Sequence, residues 1–216
     1  MGADGPRDRP LPPLRLLNFL LVHGAGSGPW VFEGWDGRAV DLQAGLNVAA
    51  ASMLNYEAVV ACDAGLMPRP LCLVGWSMGG LAAMIAAQRV APEALALLEP
   101  SPPAEVQGFD ETVPIEEGTL DPERVYGTFP MGVAARPDSL LARAERKRGV
   151  SVPPLACPML VVYGDELGAE RGRPVAAFYR AEERHIAGAS HWDLVLGEDA
   201  RYAVAAWARS ASASAM

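Results

Sequence analysis

From Leu71 to Met84 the chain reads LCLVGWSMGGLAAM, an apolar run that closes on one serine set among three glycines. PLCLV has the pattern of a strand and LAAMIAAQ that of a helix, so GWSMGG is the turn between them. A G-x-S-x-G turn in that setting lifts the serine onto a tight, strained corner, its hydroxyl exposed above a sheet. Gly75 and Gly79 are then required because the incoming strand and outgoing helix pass too close for side chains. The helix start beyond Ser77 also leaves the N–H of Met78 free to hold a developing negative charge. The chemistry served by such a corner is nucleophilic attack by Ser77. A serine capping a helix beside packing glycines would use the same letters, so the reading rests on partners.

An attacking serine needs a base and an acid to orient that base. The chain offers His23, His185 and His191. His191, in GASHWDLVLG, follows the last strand-like run and precedes the final helix, which puts it on the carboxyl edge of the sheet with Ser77. His185, in ERHIAG, falls within that last strand. His23, in HGAGSGPW, reads as a structural residue holding a glycine-rich loop. Two acids follow strands in the same way, Asp165 after MLVVYG and Glu99 after ALALL. Asp165 is placed ahead of Glu99, although an aspartate in GDELG also has a purely local use as a turn-former.

The elements that would carry these residues alternate along the chain. Strand-like runs lie at 14–22, 37–43, 70–75, 94–99, 157–164 and 183–188, most of them continuously apolar, as in strands buried on both faces. Between and after them, SMLNYEAVVACDAG, SMGGLAAMIAAQRVA, RPVAAFYRAEE and DARYAVAAWARSA have helical character. The alternation predicts the α/β class: a mostly parallel, open twisted sheet of about six strands with helices on both faces. Residues 1–216 are expected to form a single domain, with 1–13 (MGADGPRDRPLPP) a flexible leader. Residues 100–154 are rich in proline, contain the acidic DETVPIEEGTLDPE, and break the rhythm. They read as a short lid with SLLARAERKRG its one firm helix.

Composition removes several classes. The 26 acidic and 18 basic residues give a formal charge of −8, with Lys147 the only lysine, against the basic footprint that nucleic acid demands. Cys62, Cys72 and Cys157 are odd in number and lack CxxC spacing, which argues for a reducing cytoplasm rather than a disulfide framework. LRLLNFLLV, broken by Arg15 and Asn18, is too short for a membrane span and lacks a cleavage pattern. The chain shows no metal-ligand cluster and no dinucleotide fingerprint, so a reaction without cofactor is expected, on a small molecule.

Taken together the motifs resemble the α/β-hydrolase family. LLVHGAGSGPW is similar to its first strand and oxyanion loop, VDLQAG to its aspartate-leucine turn, GWSMGG to its nucleophile elbow, VVYGDELG to its acid turn and GASHWDLVL to its histidine loop. The order Ser77, Asp165, His191 is the family's order. The resemblance implies that Ser77 attacks, His191 carries the proton and Asp165 fixes the imidazole, with the N–H groups of Ala25 and Met78 as oxyanion hole. It also places the 100–154 insertion where the family has its cap. The chain departs from the pattern in lacking a hairpin before the first strand and in carrying Trp76 within the elbow. Trp30, Trp76 and Trp192, with Phe129 and Met131 from the lid, are expected to line an apolar pocket. The function implied is hydrolysis of a small carboxylic ester through an acyl-enzyme. The alternatives are a same-fold lyase, a cofactor-free perhydrolase and a degenerate ligand-binding protein.

Overall fold

The computed structural model describes residues 17–214, so the leader assigned to 1–13 lies outside the described residues. In chain order the elements are β1 (Asn18–Val22), β2 (Arg38–Val40), α1 (Met53–Gly65), β3 (Leu71–Trp76), α2 (Met78–Val90) and β4 (Ala94–Leu98). The 100–154 insertion follows with α3 (Ala104–Gln107), β5 (Thr119–Leu120), α4 (Pro122–Tyr126), β6 (Asp138–Ser139) and α5 (Leu140–Arg148). The chain then returns to the sheet with β7 (Met159–Tyr163), α6 (Arg173–Tyr179), β8 (Glu182–His185), α7 (Asp193–Leu196) and α8 (Glu198–Ser214).

Six parallel strands pair in the order β2-β1-β3-β4-β7-β8. The six strand-like runs of the sequence are these six strands. Alternation within the apolar runs divides two cores. Leu20, Leu73, Leu95 and Val161 face α1 and α2, whereas Leu21, Val74, Ala96 and Val162 face Val204 and Trp207 of α8. β3 is buried along its whole length and sits near the centre, so Ser77 leaves the sheet from a strand paired on both sides. The edge strand β8 is EERH and exposed, and its charges blunt an edge that would otherwise invite pairing.

Most strands are shorter than the runs that announced them, and two boundaries shift at the sheet edge. The helix read over RPVAAFYRAEE stops at Tyr179 because Arg180 turns left-handed (φ 53°), and β8 begins at Glu182 rather than 183. The insertion holds more structure than one helix. Ser139 caps α5 by accepting from Ala142 N, and β5 and β6 form a two-residue antiparallel pair.

Candidate active site

The elbow forms as the sequence requires, but the strain sits on the serine. Ser77 adopts φ 55° and ψ −122°, a conformation that side-chain-bearing residues keep only where the surroundings enforce it. The glycines provide room instead. A Cβ on Gly75 would lie 2.6 Å from Gly80 Cα, and one on Gly79 would lie 2.2 Å from the His23 carbonyl oxygen. Gly79 therefore lets α2 cross the end of β1, not only β3. The corner is further tied by Ser77 N donating to Leu98 O (3.0 Å) and Ser101 N donating to Ser77 O (2.8 Å).

His191 is held on three sides. Its N–H donates to Glu166 Oε2 (2.7 Å), its carbonyl accepts from Trp76 Nε1 (3.1 Å), and its Nδ1 lies 2.8 Å from Glu99 Oε2. Facing a carboxylate, Nδ1 carries the proton and Nε2 is left as the acceptor. Glu99 is fully buried, and its other oxygen accepts from Gly164 N at 2.8 Å. Both carboxylate oxygens are thus used.

Asp165 is not the acid at His191. Its Oδ1 lies 2.6 Å from His185 Nε2, and its Oδ2 accepts from Gly188 N at 2.7 Å. Those contacts, first the Gly188 N–H and then His185, hold its carboxyl below the usual range on the protein surface. The correction follows from strand order. β4 lies between β3 and β7, so the residue after β4 is flush against the elbow, while the residue after β7 is one strand further out. His23 is structural, as read: buried, its Nδ1 2.9 Å from Gly24 O and its Nε2 accepting from Leu42 N at 3.1 Å.

A cavity of about 230 Å³ opens over this arrangement and is lined by Ala25, Ser77 and His191. Among the described residues, the N–H groups of Ala25 and Met78 donate to no protein acceptor. Of the aromatic residues expected in the pocket, Trp76, Phe129 and Trp192 line it and pack together, with ring centroids 4.7 Å apart in each Trp192 pair. Trp30 and Met131 do not line it. Trp30 is partly exposed beneath the Arg136 guanidinium (5.4 Å from its ring centre), and Met131 is fully exposed. The sequence reading missed Tyr126, Arg146, Glu166, Leu167 and Arg171, which complete the lining. Neither arginine had a signal beyond its place in a charged, solvent-like stretch.

A scan against protein-family models finds no match, and a search of curated proteins finds none either. Solved structures do match. Tomato methylketone synthase I bound to 2-tridecanone has a TM-score of 0.67 at 18% identity, over 91% of this chain and 99% of that one. A carboxylesterase structure from the thaumarchaeon Nitrososphaera gargenis gives 0.66 at 13%, over 94% and 93%. Polyneuridine aldehyde esterase gives 0.63 at 14%, over 92% and 100%. The chain has the α/β-hydrolase fold.

Proposed function

We propose that the protein is a serine hydrolase that cleaves a small carboxylic ester or related acyl bond. The observation that carries this reading is the strained Ser77 opening onto the same cavity as His191, whose Nδ1 is anchored by the buried Glu99. In this mechanism Ser77 Oγ attacks the ester carbonyl while His191 Nε2 takes its proton. The N–H groups of Met78 and Ala25 hold the oxyanion of the tetrahedral intermediate. His191 returns the proton to the leaving alcohol, and water then hydrolyses the acyl-enzyme by the same steps. Glu99 keeps the imidazole in the required tautomer.

The carboxylesterase and esterase names among the structural neighbours support this class of reaction. The unpaired Cys62, Cys72 and Cys157 support a reducing, cytoplasmic setting, and among the described residues no helix is long and apolar enough to cross a membrane. The test is hydrolysis of p-nitrophenyl esters of increasing acyl length by wild type and Ser77→Ala. Wild type should turn over the short esters, and the variant should lose about 10³-fold or more in kcat. Equal rates in the two proteins would remove Ser77 as nucleophile.

A further inference from the structure

Two arginines line the cavity against a single carboxylate residue, Glu166, in a chain whose formal charge is −8. Arg146 reaches it from α5 with only 11% of its side chain exposed, and Arg171 from the single turn of π-helix at Gly168–Gly172. The hydrogen bonds of the Arg146 guanidinium go to neutral groups, Nη1 to Ser101 Oγ (3.3 Å) and Nη2 to Tyr126 Oη (3.1 Å), while its buried Nε has no hydrogen-bond partner. The guanidinium makes one long ion pair, to Asp138 Oδ2 at 3.8 Å, without a hydrogen bond. Among the described residues, the Arg171 guanidinium makes neither a hydrogen bond nor an ion pair.

The acids nearby are otherwise engaged. Glu99 is taken by His191 and Gly164, and Glu166 accepts the His191 N–H. Glu170, on the same turn as Arg171, is exposed and pairs with neither arginine. Burial, and then the like charge of Arg146, work against the charge on Arg171 and outweigh the attraction of Glu99 and Glu170. Glu166 lines the same cavity, but among the described residues it forms no ion pair with either arginine, so two half-desolvated guanidiniums facing that space are a cost to the empty protein. A small oxyanion would relieve it, because the guanidinium fork matches carboxylate and phosphate geometry.

We propose that Arg146 and Arg171 form an anion subsite beside Ser77, and that the substrate carries a carboxylate or phosphate one short apolar linker away from its scissile bond. This rests on the hydrolase reading for the scissile bond, though not for the anion. Trp76, Phe129 and Trp192 supply apolar lining to the same cavity, and about 230 Å³ admits only a short linker.

Two experiments separate the claims. The first compares kcat/KM for p-nitrophenyl hemiglutarate and p-nitrophenyl pentanoate, equal in chain length and differing in charge. Wild type should prefer the hemiglutarate. Arg171→Gln should cut that preference by about tenfold to a hundredfold, chiefly through KM, and Arg171→Lys should restore part of it. A wild-type preference for pentanoate, or a ratio unmoved by Arg171→Gln, overturns the subsite.

The second titrates glutarate, and separately phenyl phosphate, into the Ser77→Ala protein by calorimetry at low and high salt. Binding that weakens with salt and is lost in the Arg171→Gln background supports the subsite, and the better anion identifies its source. Absence of binding by both overturns it even if esters are cleaved. Anion binding in a protein that cleaves no ester would keep the subsite and sink the hydrolase reading.

Discussion

Glu99 and Asp165 each follow a strand, each bonds a histidine, and each accepts a backbone N–H, yet their surroundings assign them different work. Glu99 has no exposed surface and its bond to His191 is shielded, so it can fix the imidazole in one tautomer. Asp165 is more than half exposed and its pairing with His185 is open to water and salt. Glu99→Gln should therefore lower kcat on a short ester by about 10²- to 10⁴-fold, the range expected when the orienting acid loses its charge. Asp165→Asn should change kcat less than about threefold, since exposed pairs contribute little. Steady-state kinetics on both variants decides it, and a larger loss in Asp165→Asn would return the acid's role to that residue. The sequence could offer both acids but not choose between them. The choice depends on which strand lies beside β3, a lateral neighbour relation that no local motif encodes.

Elements were legible where periodicity is generated locally. The buried strands are continuous apolar runs and α1 and α2 are bounded by their own signals, Ser52 capping the first and the elbow starting the second. The insertion was not, because its short pieces are fixed by the rest of the protein rather than by their own pattern. Gly118 N donates to Ala49 O, Arg136 N to Gly26 O, and Gln43 Nε2 to Pro137 O, each tying lid to sheet-side loops. Ser139 makes a further joint. Its Oγ donates to Ala51 O at 2.6 Å and accepts from Ala142 N at 3.1 Å, so one buried hydroxyl both caps α5 and fastens it to the segment before α1. Ser139→Ala removes the cap and leaves the Ala51 carbonyl without this donor, a loss of about 1–2 kcal/mol. In a chain of this length that corresponds to a fall in Tm of roughly 2–8 °C. Thermal unfolding followed by circular dichroism measures it, and a shift below about 1 °C would mean that the lid is anchored elsewhere.

At the scale of the whole molecule, most acidic side chains lie at the surface, but Asp138 is fully buried at the join of β6 and α5 with neither oxygen hydrogen-bonded. Burial pushes its carboxyl above the usual range, with Arg146 opposing that shift only from 3.8 Å. The folded chain therefore holds a proton that the unfolded chain gives up near pH 3.8. The contribution of Asp138 to stability must fall as pH rises from there to the raised folded value, because over that window its folded form binds more protons. Other carboxylates act in the opposite direction. Against the upward push of burial, the Leu71 N–H and Arg69 hold Glu93 down, and the Ser151 hydroxyl and Val152 N–H hold Glu105 down. Their stabilisation is present above about pH 4.5 and fades as pH drops through their folded values. The wild-type curve alone mixes these effects, whereas the difference between wild type and Asp138→Asn isolates one of them. Asparagine keeps the shape without the titrating proton and leaves Arg146 its bonds to Ser101 and Tyr126. Urea unfolding of both proteins from pH 4 upward should show the variant gaining on wild type by up to about 1.4 kcal/mol per pH unit, then running parallel above the folded value. Curves that run parallel from the start, or a wild type that gains on the variant as pH rises, would show that Asp138 is ionised and compensated inside the fold.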